Sequence, residues 1–140
     1  LRNPEDARDV AQTVFLKAYE HLADYDPKYR FYSWIYRIAL NESINALNGR
    51  KRLVPIAGDE VDERRGADDD LESEQVGQRV QAALMTIKPD YRAVIVLKHF
   101  LDMSYEDIGQ ILELPEKTVK SRLFTGRQLL KDALQTSGIL

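Results

Sequence analysis

Apolar side chains recur at spacings of three and four along most of this chain, and the places where that rhythm breaks divide it into helices. Ala7, Val10, Ala11, Val14, Phe15, Ala18 and Leu22 make a first stripe, with Asp9, Gln12, Thr13, Lys17 and Glu20 opposite. Asn3-Pro4-Glu5-Asp6 is a helix start: Asn caps, Pro suits the first helical position, and two acids face the positive end of the helix dipole. The spacing predicts a helix to about Ala23. Pro27 disfavours helix at Asp26, so residues 25–32 read as a loop. Ser33 is placed to cap a second helix over residues 34–48. Trp34, Ile35, Ile38, Ala39, Ser43 and Leu47 lie on one side of it, and Arg37, Asn41, Asn45 and Asn48 stack on another. Gly49 is placed to end it.

Periodicity resumes near Val76, with Val80, Ala83, Leu84 and Ile87 as one stripe. Pro89 opens a helix whose apolar residues are Tyr91, Val94, Ile95, Leu97 and Leu101, and Asp102-Met103 turns the chain. Ser104 caps a short helix, with the acid Asp107 three positions on; Ile108, Gly109, Ile111 and Leu112 are its inner residues. Leu114-Pro115 leads into the last helix, over residues 116–134. Val119, Leu123, Gly126, Leu130 and Ala133 form its inner face. Lys117, Lys120, Arg122, Arg127 and Lys131, with Thr118, Ser121 and Thr125, form the other. A small residue where two helices cross, apolar residues about a tight turn and an apolar inner face on the second helix are the requirements of a helix-turn-helix. Gly109, Leu112, Leu114, Val119 and Leu123 meet them. Lys, Arg, Ser and Thr facing outward from its second helix are groups that bond phosphates and base edges. A solvated surface helix carries the same residues; the turn before it favours recognition.

Charge sharpens the division. The net charge of −3 hides an uneven distribution. Residues 1–58 hold nine basic and seven acidic side chains, as do residues 75–140, while residues 59–74 hold two basic and nine acidic. The acidic stretch is poor in apolar residues and predicts a flexible linker. The expected fold is therefore all-α, with two small helical domains, residues 1–52 and 75–140, joined by an acidic linker over residues 53–74. The absence of cysteine excludes disulfides, thiolate catalysis and cysteine-bound zinc. The acidic run lacks the spacing of a calcium loop, so no metal or cofactor is expected. No apolar run approaches the ~20 residues of a membrane span and no signal peptide is visible, which points to a cytoplasmic protein without membrane contact of its own. His21 and His99 stand alone, with no grouping for acid–base or nucleophilic work. No enzymatic activity is expected.

The first domain has a second surface suited to nucleic acid. Tyr25, Tyr29, Phe31 and Tyr32 fall within eight residues beside Lys28 and Arg30, a composition suited to stacking bases. Asn is a poor helix former, so repeating it along one face has a cost, and its donor and acceptor can read base edges. Satisfied surface polar residues are the plainer account of that face. Arg50-Lys51-Arg52 then supplies a cluster suited to phosphates. A stand-alone helix-turn-helix regulator and the DNA-binding part of a recombinase are alternatives on these grounds.

With those residues in view, the chain resembles bacterial sigma factors of the extracytoplasmic-function group, group 4. Residues 6–18 resemble the family's region 2.2, residues 31–41 its regions 2.3 and 2.4, and Ser104 to Gly109 with Thr118 to Leu123 its region 4.2. The resemblance implies a dissociable RNA polymerase subunit that gives promoter-specific initiation. Asp9, Gln12, Thr13 and Phe15 would bind the clamp helices of the polymerase largest subunit. Lys28, Arg30, Phe31, Arg37, Asn41, Asn45, Arg50 and Arg52 would recognise and hold open the minus-ten element, with Trp34 structural. Lys117, Thr118, Lys120, Ser121, Arg122, Phe124, Thr125 and Arg127 would read the minus-thirty-five element, and the second domain would also touch the flap of the second-largest subunit. An anti-sigma factor is an expected partner. Three positions depart from the pattern: Thr13 stands where an acid is common, Thr125 where many relatives carry a basic residue, and Glu113 where the turn has a small one. The first helices of the N-terminal domain are missing from the resemblance, and its apolar face is expected to be exposed in part or buried in a partner.

Overall fold

The computed structural model describes residues 3–53 and 71–138, the side chains of residues 50–53 and 71 excepted. The described residues form six α-helices: α1 (Pro4–Glu20), α2 (Phe31–Leu53), α3 (Leu71–Met85), α4 (Pro89–Ile95), α5 (Tyr105–Leu112) and α6 (Glu116–Thr136). Among them there is no strand, so the all-α expectation holds.

The start of α1 follows from its sequence. Asn3 Oδ1 accepts from the backbone N–H of Glu5 at 2.8 Å and of Asp6 at 3.4 Å, with Pro4 in the first turn. The helix ends at Glu20, and a short 3-10 turn over Leu22–Asp24 takes the remaining predicted residues. α1 packs along α2, and a Lys17–Glu42 ion pair ties the two. Of the predicted first stripe only Val14 and Ala18 are buried; Phe15 and Leu22 face outward, as do Leu16 and Tyr19 outside it.

Two expectations about α2 need correction. The helix begins at Phe31, two residues before Ser33, so Ser33 is not its cap; the Ser33 hydroxyl is buried and has no hydrogen-bond partner. Nor does Gly49 end it. Nothing in the fold requires a left-handed residue there, a Cβ would meet open space, and the helix continues to Leu53. The helix periodicity of the second half likewise begins earlier than expected, at Leu71, taking residues 71–74 from the acidic stretch into α3. The rest of that stretch lies outside the described residues.

The second half is built around Leu84, Ile87, Val94, Ile95, Leu97, Met103, Ile108, Ile111, Val119 and Leu123. All but Met103, which the spacing put in a turn, belong to the apolar sets predicted on four helices, brought to one centre. α4 continues through Val96–Phe100 as a π turn, in which Leu101 N–H bonds Val96 O at 3.1 Å. The wider turn swings the chain end away from the core, which leaves Phe100 and Leu101 exposed although Leu101 is counted among the apolar residues of its helix. Asp102 then takes a positive φ of 51° to reverse direction. Ser104 caps α5, accepting from Asp107 N–H at 3.1 Å. Burial of the Arg92 side chain, held by Ile87 O at 3.2 Å, lowers its pKa.

α2 also packs on α5, with Tyr36 and Leu40 seated against the core of the second half. The two helical groups are in direct contact.

Candidate nucleic-acid interface

α5 and α6 form the helix-turn-helix. A Cβ on Gly109 would lie 2.7 Å from the Leu114 carbonyl oxygen, so glycine there lets the turn cross the helix. Gly109 O in turn accepts from Leu114 N–H at 2.9 Å. The turn residue Glu113 takes a left-handed conformation, φ 57° and ψ 46°, and closes the end of α5. Gly126 fills the same role further along, where a Cβ would lie 3.3 Å from Ile95 Cδ1.

With Val119, Leu123 and Gly126 buried, the opposite face of α6 is fixed outward. Lys117, Lys120, Ser121, Phe124, Thr125 and Arg127 are exposed, and Thr118 and Arg122 are half-buried at its margin. Phe124, 66% exposed, is a large apolar ring set among cations. Two of the cations are oriented by neighbours the sequence did not reveal. Lys120 Nζ sits 5.4 Å from the Tyr105 ring centroid, on a ring that Lys98 also approaches at 4.7 Å. Arg127 Nε donates to His99 Nε2 at 3.0 Å.

The second expected surface lies on α2 and the loop before it. Asn41, Asn45 and Asn48 are exposed along one face of α2. Lys28, Arg30 and Phe31 are exposed at the start of α2, with Phe31 ten residues, about 15 Å along the axis, before Asn41. The loop is built rather than slack. Asp26 Oδ1 accepts from Lys28 N–H at 3.0 Å, and Tyr25, Phe31 and Trp34 form a ring cluster with centroids 5.3–5.6 Å apart. Trp34 packs in that cluster, as a structural residue does. The side chains of Arg50 and Arg52 lie outside the described residues.

Two members of this set are engaged by the helix-turn-helix. Arg37 forms an ion pair with Glu113. Arg30 Nη1 lies 3.1 Å from Tyr32 OH and 3.4 Å from Asp107 Oδ2. The hydrogen bond to Tyr32, and then the Asp107 charge, raise the pKa of Arg30. Tyr32 OH also donates to Asp107. The acid expected to complete the α5 cap therefore directs its carboxylate at the other half of the chain. Nothing in the local sequence signals this, because Asp107 and Tyr32 stand 75 residues apart.

On α1, Asp9, Gln12 and Phe15 are exposed and Thr13 is half-buried. Thr13 Oγ1 donates to Asp9 O at 3.1 Å, so its hydroxyl is occupied within its own helix. Among the described residues there is no cluster of three or more His, Cys, Asp or Glu able to hold a metal, and no helix long and apolar enough to cross a membrane.

Comparison with known proteins gives two ordered matches. Residues 1–53 match Sigma-70 region 2 and residues 77–130 match Sigma-70, region 4. The chain is 33% identical to the RNA polymerase sigma-H factor of Pseudomonas aeruginosa, over 96% of this chain and 76% of that one. It is 32% identical to the ECF RNA polymerase sigma factor SigW of Bacillus subtilis, over 96% and 79%. Among solved structures it resembles CnrH in complex with the cytosolic domain of CnrY, with a TM-score of 0.71 and 27% identity over 96% of this chain and 74% of that one. The sigma factor RpoE in complex with the anti-sigma factor NepR, from Bartonella quintana, shares the fold, with a TM-score of 0.69 at 22% identity over 94% and 82%.

Proposed function

The chain belongs to the sigma-70 family, as an extracytoplasmic-function sigma factor carrying regions 2 and 4, and from that premise we propose how its two surfaces divide the work. As a sigma factor it binds RNA polymerase core and promoter DNA and gives promoter-specific transcription initiation. It makes and breaks no bonds itself; the polymerase is the catalyst. Its place of action is the cytoplasm, where the polymerase is.

The division we propose keeps regions 2 and 4 as two domains, with α2 carrying the first to Leu53, α3 opening the second at Leu71 and an acidic linker between them. Asp9, Gln12, Thr13 and Phe15 of α1 bind the clamp helices of the polymerase largest subunit, and the second half meets the flap of the second-largest. Lys28, Arg30, Phe31, Arg37, Asn41, Asn45, Arg50 and Arg52 hold the minus-ten element as single strand. There the loop supplies stacking rings, the Asn face reads exposed base edges and the cations take phosphates. Lys117, Thr118, Lys120, Ser121, Arg122, Phe124, Thr125 and Arg127 enter the major groove of the minus-thirty-five element. An anti-sigma factor is the expected regulator, as in the solved relative bound to NepR.

The observation that carries this division is the outward face of α6, exposed and basic because Val119, Leu123 and Gly126 are buried behind it. The test is co-purification with core polymerase, followed by transcription from a cognate promoter with Lys120→Ala and Arg127→Ala. Retention on core with promoter output lost in both variants supports the reading. Output equal to wild type removes the α6 assignment, and failure to bind core removes α1.

A further inference from the structure

The junction of α3 and α4 holds a half-buried cation that is short of acceptors. Arg92 of α4 reaches back to the turn that ends α3, where its Nη2 donates to Ile87 O at 3.2 Å. Its Nη1 lies 2.9 Å from Met85 Sδ, the last residue of α3. Its Nε is buried and has no hydrogen-bond partner. A guanidinium carries five N–H donors, and a thioether is a weak acceptor for any of them. Burial lowers the pKa of Arg92, as it does for a cation whose lost hydration is incompletely replaced. A strong acceptor at the position of the Met85 sulfur would therefore stabilise the folded chain.

Oxidation makes that acceptor in place. The chain has no cysteine and two methionines, so its only sulfur groups are the thioethers of Met85 and Met103. Met103 is 6% exposed and belongs to the core of the second half. Met85 is half-buried, at the rim. In the reaction with hydrogen peroxide the sulfur lone pair attacks one peroxide oxygen and the O–O bond breaks. The sulfur gives up two electrons and keeps that oxygen as a sulfoxide; the other oxygen leaves, with both protons, as water. The sulfoxide oxygen stands one bond beyond a sulfur that already touches Nη1. The same reaction at Met103 puts a polar group into the apolar core.

We propose that Met85 is a reversible oxidation site of this chain, with a peroxide as co-substrate and the Arg92 guanidinium as the group that receives the sulfoxide oxygen. The modification keeps the fold and tightens the α3–α4 junction, and reduction of the sulfoxide returns the thioether. Neither residue belongs to the outward face of α6 or to the Asn face of α2, so the site stands apart from both DNA surfaces.

The test treats the full chain with millimolar hydrogen peroxide and follows the added oxygen by peptide mass spectrometry. Met85 is expected to oxidise about tenfold faster than Met103, in line with its exposure. The chain oxidised at Met85 alone is expected to melt about 2–4 °C higher than the untreated chain, the shift for one net hydrogen bond in a chain of this size. Methionine sulfoxide reductase should remove that gain. Met85→Gln sets an amide oxygen in the same place and should show a similar gain without oxidant. In Arg92→Gln, compared with its own untreated form, oxidation of Met85 should give no gain. A melting temperature that does not rise on oxidation of the wild-type chain overturns the proposal. An equal rise in Arg92→Gln, or oxidation of Met103 as fast as Met85, also overturns it. Should Arg92→Gln fail to fold, Met85→Gln decides, and the absence of a gain there overturns the proposal as well.

Discussion

Arg127 Nε donates a 3.0 Å hydrogen bond to His99 Nε2, from the outer face of α6 to the π turn that follows α4. The bond requires a neutral ring with its proton on Nδ1, because a protonated imidazole has no lone pair to offer and repels the guanidinium. His99 therefore restrains a side chain assigned to the minus-thirty-five element. Replacing Arg127 by Ala should cost about 1–3 kcal/mol of promoter affinity, the worth of a specific base contact. His99→Ala should cost about 0.5–1 kcal/mol, the net value of one hydrogen bond. Duplex binding by the polymerase-bound factor measures both. If His99→Ala matches wild type while Arg127→Ala is impaired, the restraint is incidental.

Gly109 and Gly126 both lie at helix crossings, yet their alanine variants should differ. At Gly109 the new Cβ meets a backbone carbonyl at 2.7 Å, and the turn that holds Leu114 must move. Overpacking of about 1–3 kcal/mol outweighs the ~1 kcal/mol of helix propensity gained. At Gly126 the nearest atom is the end of the Ile95 side chain at 3.3 Å, which can shift. There the two effects nearly cancel, to within ~1 kcal/mol. Urea unfolding followed by circular dichroism should place Gly109→Ala clearly below wild type and Gly126→Ala close to it. The reverse order would mean that the turn, not the α4–α6 contact, is the part that yields.

Thr125 tests the electrostatic side of recognition. It is exposed on the outer face of α6, between Phe124 and the buried Gly126. Thr125→Arg adds a cation there without disturbing the core. The expected result is tighter DNA binding at low salt and a slope of log K against log salt steeper by roughly 0.9, one more phosphate neutralised. An unchanged slope would place position 125 away from the DNA backbone.

The periodic parts of the fold were legible in the sequence because each helix has one inner face, and those faces converge on a single core. The Asn3 and Ser104 caps were legible because capping is local. What escaped depends on residues far apart. The spacing makes Asp107 look like a capping acid, and only the packing of α2 on α5 gives its carboxylate Tyr32 and Arg30. His99 looks isolated until the π turn sets it beside Arg127. Leu101, counted among the apolar residues of its helix, ends exposed because the π turn breaks the 3.6-residue period on which such spacing rests. Ser33 looked like a cap because nothing local marks Phe31 as the start of the helix. For the candidate site, the outward face of α6 and the Asn face of α2 were readable from spacing alone, whereas the engagement of Arg30 and Arg37 was not.

The Asn face of α2 offers the sharpest separation of the two DNA surfaces. Asn41 and Asn45 lie one helical turn apart, both exposed. Asn41→Ala removes a donor and an acceptor while improving helix propensity by up to ~0.7 kcal/mol, so lost folding stability is not expected to explain a defect. If Asn41 reads an unstacked base, docking on duplex promoter through α6 should be preserved and strand opening impaired. Permanganate reactivity of unpaired thymines in the polymerase–promoter complex reports opening, and filter binding of the closed complex reports docking. The expected variant shows weaker reactivity at unchanged docking. Lys120→Ala should show the opposite order, weaker docking with normal reactivity in the complexes that form. Permanganate patterns identical to wild type for Asn41→Ala would return that face to ordinary solvated polar surface.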